Sequence, residues 1–171
     1  MAESDVPVEG MTEPFADLCD QAAQVGALVH LEFVPMTFVA TLAIAWDMVR
    51  DAARLNGGIV FDTWHFFRGD PDYGLLASIP GDRIFGVQID DALAEPRESM
   101  RADTVNRLLP GDGTFDLTTV IRALSDIGAL TWVGPEVISP VLEALPAVEA
   151  ARLAADRTRQ VVAKALNTRS S

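Results

Sequence analysis

The sequence is poor in cysteine and in basic residues, and each shortage excludes a class of protein. The single cysteine, Cys19, rules out an internal disulfide and fits a reducing cytoplasm. Thirteen lysines and arginines stand against 25 aspartates and glutamates, which leaves a formal net charge of -12. Nucleic acids and anionic membranes are bound by clustered positive charge. We therefore expect neither a nucleic acid nor a membrane as a partner.

Long hydrophobic runs are also missing. The longest uncharged apolar stretch, 38–46, is much shorter than the about 20 residues that a membrane-spanning helix needs. The first residues, MAESDVPVEG, lack the apolar core of a signal peptide. The 171 residues are 49% hydrophobic, which is enough for one domain with a real core. We expect a cytoplasmic protein with a flexible leader at 1–11, one domain at 12–166 and a tail at 167–171.

Four apolar runs have the character of β-strands, and they lie at 28–33, 58–65, 84–91 and 130–137. The segments between them are long enough for parallel pairing, and several show helical spacing of apolar residues. The runs stay apolar almost to their ends, as expected when both faces of a sheet are covered. This pattern predicts an α/β fold with a parallel βα repeat.

Polar side chains that bind metals stand near the C-terminal end of each run. They are Glu32 in the first run, Asp62 and His65 in the second, Gln88 in the third and Glu136 in the fourth. Any one of them, taken alone, is better explained as a solvated strand-end group or a helix cap, because acidic residues are common in loops. Such residues on four consecutive parallel strands would converge, and burying their charges without a partner would cost free energy. The pattern therefore favours a shared site that holds a divalent cation.

Three loop features allow two interpretations each. Trp64 either packs in the core or forms a wall of the site. Arg97 is either a solvated loop charge or a group that reaches over the site to hold a hydroxyl, carboxylate or phosphate. The PGDG segment at 110–113 suggests phosphate binding, but it lacks the lysine of a P-loop, so we interpret it as a turn.

Five segments together carry a resemblance to a known family, and they read LEF, FDTWH, VQIDDA, PGDGTFDL and GPEVIS. On these residues the chain resembles the xylose-isomerase-like TIM-barrel superfamily of sugar and sugar-phosphate isomerases and epimerases. The resemblance covers roughly 12–165 and corresponds to strands 5–8, the C-terminal half of a TIM barrel. Because such a barrel takes about 250 residues, the first four strands are expected to be absent from this chain.

The resemblance also implies roles for individual residues. The metal ligands it implies are Glu32, Asp62, Gln88 and Glu136, and the substrate contacts are His65, Arg97 and Asp91. Gln88 stands where many members of the superfamily have a metal-binding histidine. An amide oxygen in that place makes the site richer in oxygen, which favours Mn²⁺ or Mg²⁺ over Co²⁺ or Zn²⁺.

The activity that the resemblance implies is proton transfer next to a carbonyl of a sugar or sugar phosphate. Glu32 and Glu136 would act as base and acid, giving an isomer or an epimer. Loss of a β-hydroxyl would instead make the protein a dehydratase like the inosose dehydratases. The nuclease branch of the superfamily fits poorly, because it needs a basic surface and a histidine-rich zinc centre.

A third alternative is a truncated, catalytically silent half-barrel that serves as a metal-binding or assembly module. Four parallel strands without closure leave two open edges and an uncovered inner face. The chain is therefore expected either to form a homodimer that completes the barrel or to pair with a separate chain that supplies the missing half.

Overall fold

A computed structural model describes residues 10–167 as alternating strands and helices. The strands are β1 (Val29–Glu32), β2 (Gly57–Asp62), β3 (Ile84–Ile89) and β4 (Val133–Pro135). The helices are α1 (Thr12–Ala23), α2 (Leu42–Ala52), α3 (Thr63–Arg68), α4 (Tyr73–Ser78), α5 (Met100–Thr104), α6 (Leu117–Asp126), α7 (Pro140–Glu143) and α8 (Ala147–Asn167). Residues 1–9 of the predicted leader and 168–171 of the predicted tail lie outside the described residues.

All four strands are parallel and follow one another across the sheet in the order β1-β2-β3-β4. The register brings their C-terminal ends to the same side of the sheet, with β1 ending two residues before β2 and β2 ending one residue before β3. Glu32 pairs with Val60, and Asp62 pairs with Gln88 on the next strand. The parallel α/β fold predicted from the apolar runs is confirmed, and the side chains that end the strands meet at one edge of the sheet.

The hydrophobic core lies between the sheet and the helices. Ile59, Phe61, Val87 and Ile89 point to this side of the sheet and are at most 2% exposed. Because side chains of a strand alternate between faces, His30, Glu32, Val60 and Gln88 lie on the opposite face. None of these four is fully buried. The opposite face is thus where polar side chains collect.

Polar caps define where several helices begin. The side chains of Thr41, Asp72 and Asp116 accept hydrogen bonds from the backbone N–H groups in the first turns of α2, α4 and α6. Asp62 caps α3 in the same way, because its Oδ1 accepts the N–H of His65 at 2.9 Å. The prediction that the second strand runs to residue 65 is therefore wrong at its end, since the chain becomes helical directly after Asp62.

Two other predicted boundaries also differ. The fourth strand, expected over 130–137, keeps its ladder only at Val133–Pro135. The long loop after the third strand contains the short helix α5, which begins where Ser99 accepts the N–H of Ala102.

Helix α8 is the longest element and closes the described chain. It spans 21 residues and packs on α6. Its exposed face is charged. Among residues 10–167, no helix combines the length and the apolar character that crossing a bilayer requires.

Asp103, on α5, ties the loop between β3 and α6 to the rest of the fold. It is 1% exposed and accepts hydrogen bonds from Trp64 Nε1 (2.9 Å), Arg68 Nε (2.8 Å) and the N–H of Arg97 (2.9 Å). Burial acts to raise the pKa of Asp103, but these hydrogen bonds outweigh it and lower the pKa below its usual value.

Asp103→Asn should lower the free energy of unfolding at neutral pH by about 3 kcal/mol, because it leaves the buried Arg68 without its anionic partner. A carboxyl whose pKa is lowered by folding stabilises the fold above its unfolded pKa of about 3.9 and loses that effect as the pH falls further. Urea unfolding should therefore show a difference in the free energy of unfolding between the variant and the parent chain that narrows below about pH 4.

Asp47→Asn is the control. It removes an exposed pair with Arg50 and should change the free energy of unfolding by less than about 0.5 kcal/mol. Equal effects of the two substitutions on the free energy of unfolding would contradict the role of Asp103 in tying this loop to the rest of the fold.

Candidate metal centre

Four side chains converge at the C-terminal edge of the sheet. Glu32, Asp62, His65 and Glu136 each offer one ligand atom, and these atoms all lie within 4.8 Å of one another. Glu32 ends β1, Asp62 ends β2, His65 is in the first turn of α3, and Glu136 directly follows β4. Because the strands are parallel, their C-terminal ends lie on the same side of the sheet, and residues more than 100 positions apart in sequence meet there.

His65 and Glu32 form one side of this group. His65 Nε2 lies 3.4 Å from Glu32 Oε1, a contact without hydrogen-bond geometry that leaves this buried oxygen with no hydrogen-bond donor among the described residues. The neighbouring imidazole nevertheless lowers the pKa of Glu32, against burial, which acts to raise it. His65 itself is only 4% exposed. The pair presents an ionised carboxylate towards the centre.

Gln88 and Glu136 form the other side. Gln88 Nε2 donates to Glu136 Oε1 at 3.2 Å, while the buried Gln88 Oε1 has no partner among the described residues. Burial raises the pKa of Glu136, and the nearby Asp62 raises it further. The environments of the two glutamates therefore push their pKa values in opposite directions.

Two members of the centre were not foreseen from the sequence. Arg107 Nη1 lies 2.8 Å from Asp62 Oδ2, 2.6 Å from Asp90 Oδ2 and 2.9 Å from Glu136 Oε2. Asp90 is fully buried and accepts a 2.7 Å hydrogen bond from Thr63 Oγ1. Burial, together with Asp62, raises the pKa of Asp90 well above its usual value, opposed by Arg107 and Thr63.

A sequence signal existed for one of these two residues. Asp90 stands two positions after Gln88, so strand alternation places both side chains on the same face. Arg107 had no such signal. It lies in the long connection after β3, and only the folding of that connection brings its side chain to the strand ends.

The donor set fits a divalent cation. Carboxylate oxygens, an amide oxygen and an imidazole nitrogen are all ligands of Mg²⁺, Mn²⁺ or Zn²⁺. With metal–ligand bonds of about 2.1 Å, opposite ligands stand about 4 Å apart, close to the observed span. Glu32 Oε1 and Gln88 Oε1 are buried oxygens that a cation would satisfy.

The remaining predicted substrate contacts lie outside this group. Arg97 is exposed, and its backbone N–H binds Asp103. Trp64 is fully buried and donates to Asp103, and the guanidinium carbon of Arg107 lies 5.2 Å above its ring. Trp64 thus supports Arg107 from below.

Asp91 holds the turn that the PGDG segment forms. Its carboxylate accepts the N–H groups of Gly111 at 3.1 Å and Phe115 at 3.0 Å. Gly111 has a φ of +90°, and a side chain at Gly113 would collide with Asp91 itself. Burial raises the pKa of Asp91, with the backbone hydrogen bonds opposing that effect.

Comparison with known proteins relates this architecture to curated relatives. The chain is 34% identical over 154 residues to an inosose isomerase of Bacillus licheniformis, covering 89% of this chain and 55% of the relative. It is 31% identical over 150 residues to a 3-dehydroshikimate dehydratase of Pseudomonas aeruginosa, covering 84% of this chain and 24% of the relative. The chain thus spans about half the length of the inosose isomerases that it matches.

Solved structures share the same fold. The IolI protein with a bound zinc atom superposes with a TM-score of 0.85 at 31% identity, over 95% of this chain and 60% of that one. An L-ribulose 3-epimerase superposes with a TM-score of 0.72 at 19% identity, over 98% of this chain and 57% of that one, and this likeness concerns the fold alone.

A family model agrees with these relatives and with the resemblance seen in the sequence. The model of the xylose isomerase-like TIM barrel matches residues 6–161, nearly the whole chain. The chain therefore belongs to the xylose isomerase-like TIM-barrel family.

Proposed function

We propose that this chain carries the centre of a divalent-metal-dependent isomerase or epimerase that acts on a sugar or sugar phosphate. The observation that supports this most directly is the convergence of Glu32, Asp62, His65 and Glu136 at the strand ends. The similarity to inosose isomerases supports it as well. The reaction is proton transfer at the carbon next to a carbonyl.

Each residue has a role that its position allows. Glu32 ends one edge strand of the sheet and Glu136 directly follows the other, so the two carboxylates approach a bound substrate from different sides. One takes the proton from carbon and the other returns it. His65, next to Glu32, orients a substrate hydroxyl. When bound, the cation polarises the carbonyl and stabilises the charge that develops on its oxygen.

Glu136→Gln should lower kcat at least about a hundredfold, because the amide can neither take nor give the proton. The assay is loss of ¹H from the α-carbon of ketoses and ketose phosphates in D₂O with added Mn²⁺. Circular dichroism should show an unchanged fold. Glu143→Gln, an exposed glutamate on α7, is the matched control and should keep full activity. Near-normal kcat in Glu136→Gln would remove this residue from the chemistry.

Dehydration is the second candidate, and the similarity to 3-dehydroshikimate dehydratases favours it. Both reactions begin with removal of the same proton, and they part only if a β-hydroxyl then leaves. Product analysis separates them, since dehydration gives a product lighter by one water and isomerisation conserves mass. The same glutamates would serve as base and acid in either case.

We propose Mn²⁺ or Mg²⁺ as the native cation because Gln88 adds an oxygen ligand where a histidine would add nitrogen. Gln88→His should shift the preference towards Zn²⁺ by about tenfold or more relative to Mn²⁺. Competitive dialysis against both ions, followed by metal analysis, measures the ratio. Gln160→His, on the exposed face of α8, adds a histidine away from the centre and should leave the ratio unchanged. An unaltered ratio in Gln88→His would contradict the ligand role of residue 88.

We further propose that a separate four-stranded βα unit covers the inner face of this sheet. Leu28 and Trp132 are 58% and 78% exposed, and with His30 and Phe85 they line one cavity on that face. Strands β1 and β4 are the two sheet edges within the described chain. A second copy of this chain fits this face less well, because it would bring a second acidic centre and a further net charge of -12, and the two copies would repel each other.

The purified chain should bind a hydrophobic dye such as ANS, and Trp132→Lys should remove most of that binding. Leu55→Lys is the matched control, because Leu55 is 85% exposed and lies outside this cavity. Light scattering gives the oligomeric state of the same samples. A compact monomer that binds no dye would contradict an uncovered face, and a discrete homodimer would make a second copy the occupant.

The alternative of a catalytically silent half-barrel that binds metal or assists assembly makes a different prediction. Such a module would bind Mn²⁺ yet show no solvent exchange with any ketose, alone or paired with a complementary unit. Exchange by the paired assembly, but not by this chain alone, would show that the complementary unit supplies substrate contacts. Function here is thus decided by the site and its surroundings, not by the fold.

A further inference from the structure

Arg107 Nη1 has a crowded environment that resembles the coordination of a small cation. Four oxygens surround it: Asp90 Oδ2 at 2.6 Å, Asp62 Oδ2 at 2.8 Å, and Glu136 Oε2 and O at 2.9 and 3.0 Å. This nitrogen has only two N–H bonds, so it cannot direct a linear hydrogen bond at each oxygen. The buried Nε of the same side chain has no hydrogen-bond partner among the described residues. Besides a 3.4 Å hydrogen bond from Nη2 to Thr104 Oγ1 and the contact with the Trp64 ring, the contacts of the guanidinium are therefore concentrated on Nη1.

The oxygens around Nη1 overlap with the proposed ligand set. Asp62 and Glu136 belong to that set, and each gives one oxygen to Arg107. Their other oxygens are also engaged, since Asp62 Oδ1 accepts the N–H of His65 and Glu136 Oε1 accepts from Gln88. A carboxylate oxygen can accept more than one partner, so a cation that takes an oxygen from both carboxylates shares them with Arg107 and weakens these contacts. Two positive charges that compete for the same oxygens also repel each other.

Asp90 is the acceptor that remains available to Arg107 when the other two are taken. It lies outside the convergent group of ligand atoms, it is fully buried, and Thr63 holds its Oδ1 while Oδ2 faces Arg107 at the shortest distance of the four. The Arg107 backbone is fixed by the hydrogen bond from its N–H to the carbonyl of Ile138.

We propose that Arg107 is a built-in competitor of the divalent cation, and that cation binding moves its guanidinium from Asp62 and Glu136 to Asp90 alone. This inference rests on the cation of the proposed function. Arg107 lowers the affinity of the centre for the cation. Asp90 raises that affinity without being a ligand, because it retains the arginine that the cation displaces.

Calorimetric titration of the purified chain with Mn²⁺ at one fixed pH tests the inference. Arg107→Met should bind Mn²⁺ about tenfold or more tightly than the parent chain, since the competitor is gone. Asp90→Asn should bind about tenfold or more weakly, as happens when partners outside the ligand shell are lost. In the double variant, the Asp90→Asn penalty should largely disappear, because no arginine is left to hold.

Arg68→Met is the matched control. Arg68 is an arginine whose side chain is 5% exposed, against 2% for Arg107, and it pairs with Asp103 without contacting the centre. Its loss should reduce stability while leaving Mn²⁺ affinity within about twofold of the parent value. Unchanged or weaker binding by Arg107→Met would overturn the inference, as would an Asp90→Asn penalty of the same size with and without Arg107.

A measurement on the parent chain covers the case in which Arg107→Met does not fold. The ¹⁵N–¹H resonance of the Arg107 Nε group should shift on titration with Mg²⁺, while that of Arg68 stays in place. An unmoved Arg107 resonance at saturating Mg²⁺ would overturn the inference and leave the proposed function intact. If neither the parent chain nor Arg107→Met binds any divalent cation, the metal centre of the proposed function fails, and the inference fails with it.

Discussion

The contact of Arg107 with three acidic side chains is the interaction on which the strand-end architecture depends. Asp62, Asp90 and Glu136 come from three different elements, and like charges gathered in a buried place raise the free energy of the fold. The guanidinium offsets that repulsion and joins β2, β3 and the segment after β4 at their ends. The packing of the apolar face explains why the strands form a sheet. The arginine explains why its acidic edge is tolerated.

The connection between β3 and α6 takes the path that delivers this arginine. Two further buried acids hold it in place: Asp91 binds the turn at 110–113, and Asp103 binds Trp64, Arg68 and the backbone of Arg97. In each case the carboxylate accepts several hydrogen bonds, and these offset the free energy that burying a negative charge costs. The two acids thus act on the centre indirectly, by fixing the main chain from which Arg107 projects.

Membership of the xylose isomerase-like family narrows the chemistry without selecting one reaction. Relatives named as an isomerase and as a dehydratase are 34% and 31% identical to this chain over aligned stretches of 154 and 150 residues. Both reactions would begin at the same acid–base pair, so the branch between them depends on groups around the substrate. The chain spans about half the length of the inosose isomerases that it matches. In the proposed function, a second unit on the inner face provides the remaining surroundings of a substrate.

The sequence by itself determined the parallel α/β fold and the level at which the acids meet. Apolar runs at regular intervals specify the strands, and a polar residue that ends such a run can only lie at the sheet edge. Glu32, Asp62, Gln88 and Glu136 were therefore predictable as neighbours. Strand alternation also contained, unused, the signal that Asp90 shares a face with Gln88.

Only the tertiary structure decided what stands among those acids. The position of Arg107 among the acids depends on the path of the long loop after β3, and hydrogen bonds between residues distant in sequence set that path. The helical turn after Asp62, which places His65 next to Glu32, arises because a capping bond prevails over the apolar character of the run. The local sequence pattern specifies the strands. The identity of the positive charge among the acids is a non-local property, because it depends on which side chain the folded chain brings to the buried point between Asp62, Asp90 and Glu136.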